Sequence, residues 1–171
     1  MPLEVNSKIF YPSHGAGWIV KKKSIEFCGE KKDYFEFKFV NSPLTISTPI
    51  DKLDTLGVRE VISSEKMHQL LLKLGETVKK TKDQKDYNKF IEEMKELDNT
   101  GNAANFVEII IKCGCVRDNR LEDKRIIPVN ITKSIKNSII YLVAELAVIK
   151  DLTMEEAVKE FEEITKIKVD L

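Results

Sequence analysis

Apolar and polar residues alternate through the first fifty positions and then change period. In Asp33-Tyr34-Phe35-Glu36-Phe37-Lys38-Phe39 the phenylalanines share one parity while Tyr34, Glu36 and Lys38 share the other. That pattern predicts a strand with Phe35, Phe37 and Phe39 facing a core. Ile9 to Ile19 reads as strand, tight turn, strand, with Tyr11 and Trp18 flanking Pro12-Ser13-His14-Gly15-Ala16-Gly17. The two glycines there supply the positive backbone angles of a corner. Ser24 to Cys28 is a further short strand closed by Gly29-Glu30-Lys31-Lys32, and Leu44-Thr45-Ile46-Ser47-Thr48 is a β-branched strand stopped by Pro49. Four or five short strands joined by brief turns predict a small, strongly bent sheet or barrel. Trp18 is expected in its core or at its rim.

After a connector over Asp51 to Glu60, the spacing becomes helical. Ser63 or Ser64 can cap a helix carrying Met67, Leu70, Leu71 and Leu74, and residues 75–86 read as a polar, lysine-rich loop. Tyr87, Phe90, Ile91, Met94 and Leu97 form one stripe that stops at Asn99-Thr100-Gly101. A third helix is predicted from about Asn102 to Cys113, with Phe106, Val107, Ile110 and Ile111 inward, then a charged loop over 114–128. The fourth starts near Asn130 and is apolar over a wide arc, as suits a central helix. Glu145 interrupts that arc and needs a partner or a boundary, because a lone buried carboxylate is costly. Thr153-Met154-Glu155-Glu156 is a capping box that opens the fifth. The expected fold is therefore α+β: a β module over residues 1–62 and an all-helical domain of about five helices over 63–171.

Charge changes this picture little overall and more locally. The 171 residues hold 28 lysines and arginines against 28 aspartates and glutamates, so any nucleic-acid contact must use a local basic patch. Lys73 to Lys89 has six cations against three acids, residues 112–136 seven against three, and the last helix is acidic. A solvated surface of mixed charge gives the same counts. No catalytic kit is visible. His14 and His68 have no nucleophile or paired carboxylate nearby in sequence, and His14 is expected to order its turn by hydrogen bonding. Cys113-Gly114-Cys115 lacks the spacing of a zinc or thioredoxin site. No metal, cofactor or small-molecule substrate is expected. The N-terminus has no apolar signal region, the longest apolar run is too short to span a membrane, and the odd cysteine count fits a reducing, cytoplasmic setting.

Four stretches together resemble the CarD/CdnL family of bacterial transcription regulators. They are Tyr11-Pro12-Ser13-His14-Gly15-Ala16-Gly17; Leu44 to Lys52 with Leu56-Gly57-Val58-Arg59; Tyr87-Asn88-Lys89 leading through Gly101-Asn102 to Val107-Glu108; and Leu142-Val143-Ala144-Glu145-Leu146-Ala147. The first module is also similar to the polymerase-interacting domain of transcription-repair coupling factors. The resemblance implies an SH3- or Tudor-like five-stranded module that docks on the RNA polymerase β subunit. It implies a helical domain that touches promoter DNA just upstream of the −10 element and stabilises the open complex with an aromatic wedge. On this resemblance the DNA-facing residues are Lys85, Tyr87, Asn88, Lys89, Thr132 and Lys133, with Tyr87 standing where most members carry tryptophan. The polymerase-facing residues are Ile25, Leu44, Ile46 and Ser47; Ile25 and Ser47 replace arginines common in the family. Read from its spacing alone, Tyr87 fits a packing stripe better than a wedge. Two functions follow: a regulator that binds polymerase and, weakly by itself, promoter DNA, or an adaptor that binds polymerase or another partner without touching DNA.

Overall fold

A computed structural model of the chain describes residues 2–76 and 86–170. Five strands come first: β1 (Lys8–Tyr11), β2 (Gly15–Phe27), β3 (Glu30–Phe39), β4 (Thr45–Pro49) and β5 (Arg59–Glu60). They form one antiparallel sheet in the order β4-β3-β2-β1-β5. Five helices follow: α1 (Ser64–Glu76), α2 (Tyr87–Asn99), α3 (Ala103–Glu122), α4 (Val129–Lys150) and α5 (Met154–Thr165). The architecture is α+β, as the periodicity predicts.

Strand alternation gives the sheet two different faces. Ile9, Tyr11, Ile19, Phe35, Phe37 and Phe39 point inward and close a small core with Leu53 and Val58. Their neighbours Phe10 and Ala16 point the other way and belong to the core of the helices. Phe10 lies 5.5 Å from the ring of Phe106 and 5.8 Å from that of Tyr141. Trp18 shares this second face. It is half-buried against the helical core and does not fill the small β core, which corrects the expectation for it. The corner itself depends on close approach: Gly17 pairs with Phe39, and a Cβ on it would sit 1.9 Å from the Lys38 carbonyl oxygen.

Two boundaries differ from the sequence reading. The turn between β2 and β3 is only Cys28-Gly29, both with positive φ (53° and 81°), so Glu30, Lys31 and Lys32 pair as strand. Two such residues match the twist of a tight hairpin, which extends the ribbon to its tip. Helix α3 continues nine residues past Cys113 to Glu122, through most of the segment read as a charged loop. Val116 alone anchors that extension as a buried residue, and the chain turns out at Lys124, whose φ is 53°. Other features fall where the pattern puts them. Helix α2 ends ahead of Gly101, and the Thr153–Glu156 capping box is complete. Helix α4 is the central helix, buried along most of its second half.

Two ion pairs join sheet and helices among the described residues: Lys8 of β1 meets Asp151 at the end of α4 at 2.7 Å, and a buried pair lies deeper. Glu145 of α4 is fully buried and accepts from the Arg59 guanidinium at 2.6 and 2.9 Å, and from the Ile62 backbone N–H at 3.0 Å. The same guanidinium donates to the Gly101 carbonyl at 3.0 and 2.7 Å and lies 4.7 Å over the Phe10 ring. Glu145 thus has the partner its position requires, on a strand 86 residues away.

Candidate functional site

Two surfaces gather the sequence-predicted residues. The first is the β4 end of the sheet. β4 pairs only with β3, from Lys38–Thr45 to Tyr34–Pro49, so its other side carries backbone donors and acceptors with no strand beside them among the described residues. Leu44 is exposed just before it. Ile46 faces the small core and is half-buried there, whereas Ser47 faces outward beside Glu36. Ile25 pairs with Lys32 in the distal hairpin and has the parity of Lys21, which is level with Ser47 through Glu36. Ile25 and Ser47 therefore share the outer face, two strands apart and about 13 Å offset along them. Alternation separates them from Ile46, so the four residues form a rim rather than one cluster. Phe27 extends this outer face. It is 78% exposed, has the parity of Ile25 and sits at the hairpin tip. The sequence reading keeps Phe27 inside the Ser24 to Cys28 strand without singling it out; the two-residue turn is what puts it at the tip.

The second surface is a corner where α2 and α4 begin. Asp86 caps α2 by accepting from the backbone N–H groups of Asn88 and Lys89 at 3.1 and 3.2 Å, which fixes the first turn. Tyr87 is half-buried against the helical core, and its hydroxyl donates to Asn130 Oδ1 at 2.8 Å. Asn88, Lys89, Thr132 and Lys133 are exposed around this junction. Lys85 lies outside the described residues. The fold brings in further groups. Arg120 stacks 5.3 Å over the Tyr87 ring and donates to the Ile126 carbonyl at 3.0 Å. Ile126 and Val129 project 88% and 81% exposed from the α3–α4 connection. Arg120 was hidden from the sequence reading by the early end given to α3; the overlong helix is what carries it to Tyr87.

Residues with potential chemistry are dispersed. The His14 ring packs 4.9 Å from Tyr11 and 5.7 Å from Phe39, and its turn is held by backbone bonds: His14 N–H to Tyr11 and the Asn41 amide to the His14 carbonyl, both at 3.1 Å. The hydrogen bonds at this corner use the His14 backbone, and the imidazole contributes by packing on the two rings. His68 is exposed. Burial pushes the Cys113 thiol up to about 12, which makes it a poor nucleophile. Among the described residues no three metal-binding side chains gather, and no helix is long and apolar enough to cross a membrane.

The molecule is a small antiparallel sheet with β4 at one edge, packed on a helical block that carries an aromatic–cationic corner. Residues 3–62 match the family model of the CarD-like/TRCF RID domain. Over 161 residues the chain is 27% identical to the Bacillus subtilis (strain 168) protein named "Putative transcription factor YdeB", a match that spans 92% of this chain and 98% of that one. The chain is thus similar to CarD-like transcription proteins, with residues 3–62 carrying the likeness to the RID domain. Both names point to transcription proteins.

Proposed function

We propose that the chain docks on the β subunit of RNA polymerase and stabilises the open promoter complex through minor-groove and phosphate contacts near the upstream edge of the bubble. Residues 1–62 are the docking unit and residues 63–171 the DNA-contacting unit, acting in the cytoplasm. Docking uses the open edge of β4 by strand addition, with Leu44, Ile46, Ser47 and Ile25 around the contact. The observation that carries the DNA half is the Tyr87–Asn130 hydrogen bond. It joins the starts of α2 and α4, the two first turns that carry Asn88 and Lys89 and, on α4, Thr132 and Lys133. Such contacts carry little base code, so sequence preference follows DNA deformability. A protein with zero formal charge binds duplex weakly by itself; tethering to polymerase supplies the local concentration.

The test is Tyr87→Ala beside Tyr87→Phe. Tyr87→Ala is expected to shorten open-complex lifetime about tenfold, in line with the loss of one stacked ring, while binding to the polymerase β subunit stays unchanged. Tyr87→Phe keeps the ring, loses only the Asn130 bond and is expected to retain most of the lifetime. Equal loss of lifetime and polymerase binding in Tyr87→Ala would make Tyr87 a packing residue and overturn this reading.

A second reading has its own support. The Tyr87 hydroxyl is already satisfied and its ring is covered on one side by Arg120. A ring held in this way suits an adaptor that binds polymerase and leaves DNA alone. Photocrosslinking from position 87 on a forked promoter fragment with polymerase present separates the two: a crosslink to DNA favours the regulator, and its absence in a complex that still contains the protein favours the adaptor.

A further inference from the structure

A groove of about 550 Å³ opens between α3 and α4, with the end of α1 at one side and the segment after α5 at the other. Its volume falls in the ~300–1,000 Å³ range of small-molecule sites. The floor is aliphatic: Ile110, Ile135 and Ile139 remain 5–8% exposed because they line it. Ile167 and Val169 build a wall, and that wall is fixed. The Val169 backbone N–H donates to Glu162 at 2.9 Å, and the Ile167 N–H donates to Thr165 Oγ1 at 3.2 Å. Gly114 lines the same groove, and a Cβ built on it would meet no atom within 4 Å. The helix therefore leaves open a space that almost any other side chain would begin to fill.

The mouth has a different chemistry. Lys136 and Lys166 stand there without an ion-pair partner among the described residues, next to the Thr132 hydroxyl. Arg117 and Lys168 also reach the rim but are engaged by Asp118 and Glu162, at 2.9 and 3.1 Å. Asp170 is the one rim acid without an ion-pair partner among the described residues, so the unengaged charge at the mouth is net positive. Among the described residues no aromatic side chain lines the groove, so a base or other flat ring would find nothing there to stack on.

We propose that this groove binds an aliphatic carboxylate of fatty-acid type. The saturated chain lies along the isoleucine floor past Gly114, and the carboxylate sits at the mouth facing Lys136 and Lys166. Burial of methylenes supplies the affinity, and the lysines select the head group. The proposal does not depend on the polymerase reading.

The test is calorimetric titration of the full-length protein with dodecanoate, and with dodecyltrimethylammonium as a probe of equal chain length and opposite charge, both below their micellar concentrations. One molecule of dodecanoate is expected to bind, about tenfold or more tighter than the ammonium probe, as charge selection at a partly desolvated mouth provides. Gly114→Leu and Gly114→Trp are expected to abolish binding while helical content stays as in the parent. The pair Lys136→Glu with Lys166→Glu is expected to reverse the head-group preference, which keeps the test sharp if filling the groove disturbs folding. Absence of dodecanoate binding by the parent protein would overturn the proposal. So would equal affinity for the two heads, or full affinity in a folded Gly114→Trp.

Discussion

One guanidinium decides how firmly the sheet and the helices hold each other. Arg59 is 27% exposed and Glu145 not at all, so removing the arginine leaves a carboxylate buried in an apolar helix with only the Ile62 N–H for company. Breaking a buried pair from one side costs ~3–5 kcal/mol, whereas replacing both partners by apolar groups is often neutral. Arg59→Met is therefore expected to lower unfolding free energy by about 3 kcal/mol or more in urea titrations, and Arg59→Met with Glu145→Leu to recover most of that loss. A cost below about 1 kcal/mol for the single variant, in the range of an exposed pair, would show that the junction is held without it, by Phe10 and its neighbours and the Lys8–Asp151 pair. The two partners also mark what a sequence discloses. An acid in the middle of Leu142-Val143-Ala144-Glu145-Leu146-Ala147 announces that it must be satisfied, because local periodicity says it is buried. It cannot announce by what, because the answer arrives from β5 through the tertiary fold. Trp18 went astray for a related reason: alternation gives its parity, but which face of a thin sheet meets the helices is a property of the assembly.

At the scale of elements, periodicity was legible wherever buried residues recur, and illegible where they thin out. The triplet Phe35, Phe37 and Phe39 fixes β3 unaided, and all three are buried. The second half of α3 offers one buried residue, Val116, in nine positions, so charge reads as loop while backbone hydrogen bonding continues the helix. That miss hid Arg120, and with it the stacking contact on Tyr87. Capping chemistry is more local and therefore more readable. In α5, Glu156 is held below the usual carboxylate range, first by the Thr153 backbone N–H and then by the Thr153 hydroxyl. A depressed folded-state value means its contribution is present above the ordinary value of 4.5 and is lost as pH falls through the folded value. Chemical denaturation from neutral to acid pH is thus expected to show a shallower loss of stability in Glu156→Gln than in the parent. Thr153→Ala is expected to cost about 1 kcal/mol at neutral pH. Parallel pH profiles for parent and Glu156→Gln would mean that the box contributes nothing through its charge.

For the whole molecule, the question is whether two surfaces on one chain act as one device. The β4 edge lies at the far end of the strand order from β5, while Phe10, Arg59 and Ile62 meet the helices from the β1–β5 side. Strand addition at β4 therefore leaves the junction to α4 untouched, and docking and DNA contact can occur together. Cutting between residues 62 and 63 separates these functions at a structural cost. It strips Phe10 from Phe106 and Tyr141 and takes both partners, Arg59 and Ile62, from Glu145. The helical fragment 63–171 is accordingly expected to melt below the full chain and to gain stability from Glu145→Leu, which removes the orphaned charge. The fragment 1–62 is expected to retain binding to the isolated polymerase β subunit, because its inward core of Ile9, Ile19 and the three phenylalanines is its own. Mixed with 63–171 at micromolar concentration, it should fail to extend open-complex lifetime, since a short link supplies an effective concentration on the order of millimolar and free fragments do not. Recovery of full lifetime by fragment 63–171 alone would sever DNA action from docking. The corner at Tyr87 would then have to hold promoter DNA by itself, against the modest attraction that a chain of zero formal charge can offer.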